Sequence, residues 1–376
     1  MIYLDNNATT RSTSKVVEAT VAYLTDCYFN ASTSSAGVTG ADRPRLHAAA
    51  AMKKLVNAEE PDCFIFTSGA TESNNWVLTS LRRCGNLGKV VVSSIEHASV
   101  LEPALDLRQW GFDVVETPVD SNGVVRIDQL QQHLTHDCVL VSVMAANNET
   151  GAVQPIREIG ELIRASCPRA LFHTDATQAV GKMSVDLRAG WTEVDLASFS
   201  AHKFHGPKGI GGLYMRPGIE IHPMLLGGGQ EDGWRSGTTN TPGLAGLAIA
   251  AEEAASSNYD AVGRLRDLFE ARLKATWPDI HIHSQGVTRL PNTSFFSLPG
   301  MAGVEMADAL AAEGIIVGTG AACSAGAIRP SRTLQSMGVA HEIATAGLRI
   351  SLSRFSTLQE IEKLIDTLGA LRHSLH

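Results

Sequence analysis

An α/β architecture, a mainly parallel sheet flanked by helices with a smaller α+β unit behind it, follows from three features of the sequence. Short β-branched apolar runs alternate with stretches of helical period as far as Met215, each bounded by polar turns. The apolar runs are continuous rather than alternating, which marks strands buried on both faces. With 376 residues, 44% of them hydrophobic, the chain is long enough for one large core and a second, smaller one. The expected division is 16–255 for the large domain and 1–15 plus 256–376 for the small one.

The elements follow in order. Residues 1–15 are polar and turn-rich, and Ser14 is placed to cap a helix from Lys15 to about Asp26, with Val16, Val17, Thr20 and Leu24 at helical spacing. The small residues from Asn30 to Gly40 read as a flexible loop, and a second helix is expected from about Pro44 to Asn57. A strand over Cys63 to Phe66 stops at Thr67-Ser-Gly-Ala-Thr-Glu-Ser73, ahead of a helix carrying Trp76, Val77, Leu78 and Leu81. Such a strand, turn and helix start aims free backbone N–H groups and a positive helix dipole at an anion. Capping by Thr71 or Ser68 is the plainer reading of the same turn.

Further strands are predicted at Val90 to Ser93, Asp113 to Thr117 and Val139 to Val143, with helices opening at Ile95 and spanning Ile127 to Leu134. The strand from Ala170 ends in Asp175, and the one from Val194 to Phe199 runs into Ser198-Phe-Ser-Ala-His-Lys-Phe-His-Gly-Pro-Lys208 before a strand from Gly211 to Met215. Beyond Gly227-Gly-Gly-Gln230 and Arg235-Ser-Gly-Thr238, one alanine-rich helical stretch from about Pro242 to Leu273 leads out of the first domain. The second holds strands at Ile280 to His283, Thr293 to Ser297, Ile315 to Gly318 and Gly347 to Leu352, and helices at Val304 to Glu313, Arg332 to Met337 and Leu358 to Leu371.

Charge and composition narrow the function. A net charge of −8 and an isoelectric point near 5.9, with no basic block, give no electrostatic footprint for nucleic acid or an anionic membrane. A small-molecule or protein partner is expected instead. The segment from Met1 to Thr10 has neither a basic nor an apolar leader region, and no run of about 18 apolar residues occurs, so a cytoplasmic protein is expected. The six cysteines stand apart without C-x-x-C or zinc-like spacing, so no metal is expected. Cys63, Cys138 and Cys167 lie in or beside apolar runs and read as core, whereas Cys323 does not.

Lys203 sits on a strand-exit loop, where α/β proteins place their chemistry. A lysine amine attacks a carbonyl only when neutral, and burial beside imidazoles such as His202 and His205 moves it that way. Strand ends of such a sheet gather along one edge, bringing together Thr71, His97, Asp175, Gln178, Ser200 and Lys203. Pyridoxal 5'-phosphate needs this set: a lysine for a Schiff base, an acid at the ring nitrogen, a flat partner for the ring and an anion cradle. His173 and His205 read as structural.

Nine motifs in order extend the match along nearly the whole chain. They are Tyr3-Leu-Asp-Asn-Asn-Ala-Thr-Thr10, Phe66-Thr-Ser-Gly-Ala-Thr-Glu-Ser73, Glu96-His97, Asn147-Asn-Glu149, His173-Thr-Asp-Ala-Thr-Gln178, Ser198-Phe-Ser-Ala-His-Lys203, Arg235-Ser-Gly-Thr238, Gly320-Ala-Ala-Cys-Ser324 and Leu348-Arg-Ile-Ser351. On these the chain resembles the class V aminotransferase-like branch of fold type I pyridoxal-phosphate enzymes, and within it the cysteine desulfurases of the NifS/IscS type.

The resemblance implies that Lys203 holds the cofactor and moves the substrate Cα proton, Asp175 pairs with the pyridinium, Gln178 reaches the ring hydroxyl and His97 stacks on the ring and shuttles protons as a further catalytic residue. It implies that Ala70, Thr71, Ser200 and His202 hold the phosphate, that Thr238 reaches the phosphate of a neighbouring subunit in a homodimer, and that Asn148 and Arg349 bind the substrate carboxylate. Cys323, in the small-residue run from Gly318 to Gly326, is expected to ride a mobile tether, attack the sulfur of L-cysteine and carry a persulfide to a sulfur-acceptor protein while alanine leaves.

A selenocysteine lyase or related lyase or aminotransferase, with Cys323 incidental, is the alternative enzyme reading, and a catalytically silent scaffold is the third. The acceptor stays open among iron–sulfur cluster assembly, tRNA thiolation, DNA sulfur modification and nitrogenase maturation. One departure stands out: Phe29-Asn-Ala-Ser-Thr-Ser-Ser-Ala36 lacks the histidine that typical members carry shortly after Gly-Asn-Pro-Ser-Ser.

Overall fold

The computed structural model of the chain describes residues 1–59, 63–83, 85, 87–320, 322–324 and 327–374. Its seven-stranded sheet is built from β1 (Cys63–Thr67), β2 (Lys89–Ser93), β3 (Asp113–Thr117), β4 (Cys138–Ser142), β5 (Leu171–Asp175), β6 (Leu196–Ser200) and β7 (Gly211–Met215). The strand order is β1-β7-β6-β5-β4-β2-β3. Strands β2 to β6 pair in parallel, and β7 runs antiparallel to both β6 and β1. A mainly parallel α/β sheet is what the unbroken apolar runs require, because helices must cover both faces.

They do so by the strand period of two. Val91, Val141, Phe172 and Phe199 face helices Ser14–Thr25, Arg43–Leu55, Ile156–Ser166 and Thr241–Ala255, contributing to one buried cluster. Val90, Val92, Leu140 and Leu213 face Trp76, Val77 and Leu78 of helix Ala70–Ser80 and Val100 and Leu101 of helix Ala98–Asp106.

A second, antiparallel sheet joins β8 (His281–Ile282), β9 (Thr293–Ser297), β10 (Gly318–Thr319) and β11 (Gly347–Ser351) in the order β10-β11-β9-β8. Its cluster draws on Leu4, Phe269, Phe296, Leu348 and Ile361, so the N-terminal residues pack with the C-terminal part of the chain. Ile2 and Tyr3 pair in parallel with Ile315 and Ile316.

Several expectations need correction. The first helix begins at Ser14 with Thr13 as its cap, Oγ1 accepting the Val16 N–H at 3.3 Å, and Val17 and Leu24 are 49% and 62% exposed rather than core. The loop from 30 to 40 contains a helical turn, Ala36–Thr39. Helix Ile156–Ser166 is an addition to the expected elements, with Ile156, Ile159 and Ile163 recurring on its buried side.

The single stretch from Pro242 to Leu273 is two helices, Thr241–Ala255 and Asp260–Thr276, because the polar run 256–259 ends the first and Asn258 Oδ1 takes the Asp260 N–H at 2.7 Å to open the second. Cys138 and Cys167 are buried, but Cys63 opens an edge strand and is exposed. The run expected as an open tether contains β10 and a short antiparallel pair, Ala322–Ser324 with Ala327–Arg329, in which Cys323 stands opposite Ile328. No helix among the described residues is long and apolar enough to cross a membrane, and no described His, Cys, Asp and Glu cluster could hold a metal ion.

Candidate active site

A cavity of about 400 Å³ opens beyond the C-terminal ends of β1, β2, β5 and β6, and every candidate site residue whose side chain is described, except Thr238, lines it. At β1 the chain turns at Gly69, whose φ of +152° favours glycine and whose missing Cβ would stand 3.2 Å from Ser200 Oγ. Neither Ser68 nor Thr71 caps the helix that follows, so its N-terminus keeps donors for a ligand. Ser200, the last residue of β6, takes the Ala70 N–H on its Oγ at 2.7 Å.

Beyond β2, His97 caps helix Ala98–Asp106 by accepting the Ser99 N–H on Nδ1 at 3.1 Å. Asn74 Nδ2 donates to Ser99 Oγ at 2.9 Å and to Asp175 Oδ2 at 2.8 Å. Asp175, the buried end of β5, receives the Thr177 N–H on Oδ1 at 2.9 Å. Its carboxylate is therefore aimed by two donors from its own floor.

Lys203 closes a single 3-10 turn after β6. Its Nζ donates to the backbone oxygens of Asn7 at 2.7 Å and Ala8 at 2.8 Å. Burial, then the Arg349 charge, pulls its pKa down to about 8 against the opposing pull of Asp175 and Asp5. His202 Nδ1 lies 3.1 Å from Thr9 Oγ1, and burial, with Lys203 and Lys182 nearby, holds its ring neutral with a pKa lowered to about 4. His173 sits between Ser142 and Ser198 Oγ, and His205 bonds the Arg11 oxygen at 2.9 Å, structural roles in both cases.

Arg349 enters from the middle of β11. Nη1 donates to Asn148 O at 3.0 Å, Nη2 to Asp5 Oδ1 at 2.6 Å, and the buried Nε has no partner among the described residues. A Cβ on Gly318 would come within 2.7 Å of Arg349 Nη2, so only glycine fits beside the guanidinium. Next to it, Glu149 accepts Ser331 Oγ–H at 2.5 Å and Thr333 Oγ1–H at 3.1 Å.

Thr238 is exposed in a separate cavity of about 250 Å³, with Ser68, Gly209 and Arg235. The Cys323 side chain lies outside the described residues. Sequence reasoning assigned no role to Asn7, Ala8, Asn74, Ser99, Thr177 or Lys182; Asn7, for one, takes the Gln178 Nε2–H on its backbone oxygen at 3.0 Å. The paired amides Asn6-Asn7 inside the first motif were the only hint of it.

The chain matches the Aminotransferase class-V family over residues 2–364. A cysteine desulfurase of Cereibacter sphaeroides is 40% identical over 369 residues, covering 98% of this chain and 94% of that protein. The cysteine desulfurase IscS of Methanosarcina thermophila is 39% identical over 382 residues, covering 100% and 92%. Among solved structures, a NifS-like protein 36% identical in sequence superposes with a TM-score of 0.91 and 99% coverage of each chain. With its strand-end lysine and aspartate in one cavity, the chain belongs to the class V aminotransferase family.

Proposed function

We propose that this protein is a pyridoxal 5'-phosphate-dependent cysteine desulfurase that converts L-cysteine to L-alanine and hands the sulfur, through Cys323, to an acceptor protein. The observation that carries the reading is one cavity joining a depressed-pKa lysine, a doubly held carboxylate and an uncapped helix N-terminus. These residues fit the cofactor: the amides after Gly69, with Ala70, Thr71, Ser200 and His202, form an anion cradle, and Asp175 is an acceptor placed for a ring N–H. The cofactor, when bound, supplies the electron sink that acidifies an amino acid's Cα–H.

The chain's own residues do the rest. Two N–H groups of Lys203 are spent on carbonyl oxygens, so its remaining position faces the cavity and takes or returns the Cα proton. Gln178 and His97 orient the ring from edge and face. Arg349, with Nε uncommitted, and Asn148 receive the substrate carboxylate as a planar fork does. The Cys323 thiolate attacks the substrate sulfur; an S–S bond forms, the C–S pair passes to carbon, and a proton completes alanine.

A homodimer in which Thr238 serves the second copy's phosphate accounts for its standing apart from its own cavity. A division at 16–255 and 1–15 plus 256–376, a cytoplasmic setting and a protein acceptor belong to the same proposal. The test pairs borohydride trapping with peptide mapping, expected to mark Lys203, and assay of Cys323→Ala with cysteine and reductant. A label on another residue, or sulfide release at the wild-type rate, overturns the respective assignment.

A further inference from the structure

Below the cavity floor lies a second amine that the reaction as described does not use. Lys182 is 2% exposed, and its Nζ donates to Asn7 Oδ1 at 3.1 Å and to Gln178 Oε1. Amide oxygens do not neutralise an ammonium, so burial, then the Lys203 and Arg349 charges, push its pKa well below that of an ordinary lysine. Two of its N–H groups are engaged by these amide oxygens.

Those two bonds decide how two side-chain amides face. With Oε1 turned to Lys182, Gln178 presents Nε2 to the Asn7 backbone oxygen at 3.0 Å. With Oδ1 shared between Lys182 and Asn292 Nδ2, Asn7 presents Nδ2 to Asn148 O at 3.1 Å and Thr293 Oγ1 at 2.9 Å. The same Asn7 backbone oxygen holds Lys203 Nζ at 2.7 Å. Methionine, which cannot donate, could not do this.

We infer that Lys182 is a positioning residue for Lys203, setting the orientations of Asn7 and Gln178 and through them the carbonyl on which the reactive amine rests. The inference depends on Lys203 being that amine, and the experiment separates the two. Lys182→Met and Lys182→Gln are compared with wild type, first without cofactor. The folded Lys182 binds its proton less readily than the unfolded chain does, so wild-type stability rises with pH between its depressed pKa and about 10.4. That rise is expected to flatten in both variants.

Labelling of Lys203 by an amine reagent, mapped by peptide mass, is expected at half-maximal rate near pH 8 in wild type. In Lys182→Met the loosened carbonyl favours the ammonium less, and the midpoint falls by about one unit. In the loaded enzyme kcat falls about tenfold while KM for cysteine changes less than about threefold, since Arg349 makes no bond to Lys182 and keeps its own to Asn148 O and Asp5 Oδ1. Lys182→Gln, which keeps one donor, is expected to lie between and decides the matter if Met does not fold. A folded variant with the wild-type Lys203 profile and kcat overturns the inference. Wild-type protein that never joins cofactor at Lys203 instead overturns the functional reading beneath it.

Discussion

The seven-stranded sheet delivers its polar groups from strand ends, whereas the four-stranded sheet presents Arg349 from the middle of a strand. Asp175 and Ser200 close β5 and β6, and Thr71, His97 and Lys203 stand on the turns beyond. There the backbone leaves the ladder, so N–H groups and short side chains can converge on a ligand with many kinds of polar atom. Arg349 is opposite Phe295 on one side and Gly318 on the other, with both ladders closed. Its guanidinium has little freedom, which suits recognition of one planar carboxylate. A many-featured cofactor is held by an adjustable rim, and a single charged group by a fixed post.

Removing the amine from the rim has the largest expected effect. Lys203→Ala should lower alanine formation by about a thousandfold or more, because proton transfer and covalent attachment are lost together. A variant within tenfold of wild type would contradict the assignment. Arg349→Lys keeps the charge but not the fork, and kcat/KM should drop about a hundredfold, corresponding to about 2–3 kcal/mol, chiefly through KM. If kcat alone fell, the fixed post would be catalytic rather than recognitive.

The pH response of the rim is the next measure. The Lys203 amine is neutral above its pKa of about 8, so capture of cofactor by the cofactor-free chain should rise about tenfold per unit below that pH and level off above it. A midpoint near the ordinary lysine value would show that burial does not act as described. Gly318→Ala puts a Cβ within 2.6 Å of Asp5 Oδ1, and about tenfold in KM with kcat nearly unchanged is expected from crowding the post. The smallest effect belongs to Glu149→Gln, which keeps an acceptor for Ser331 and should cost about 1 kcal/mol of stability in denaturant unfolding.

The two sheets also differ in how much of them sequence reveals. Val90 to Ser93 and Val139 to Ser142 are legible because strands buried on both faces must be continuously apolar. The break after Ala255 was hidden by alanine-rich flanks, although the polar residues at 256–259 carried the signal. Val17 and Leu24 show the opposite failure, since helical spacing of apolar residues does not say what they face.

At the site, Lys203 and Asp175 declare themselves by side-chain chemistry at strand ends. Asn7 acts on Lys203 through a backbone oxygen, which every residue possesses, and the burial of Lys182 arises from contacts far away in sequence. Lys182 has no local signature, and Asn7 shows only as one of the paired amides of the first motif.

Asn6 Nδ2 donates to Ser351 O at 2.8 Å and the Asn7 N–H to Ser351 Oγ at 2.9 Å, across separations of 345 and 344 residues. The seat of the reactive lysine is thus locked by a strand that leaves the ribosome long after it. Until β11 docks, a nascent chain owns the lysine but not its resting place, and loops this long close late in folding. Acquisition of colour by the maturing enzyme would then serve as a timer for completion of its last sheet.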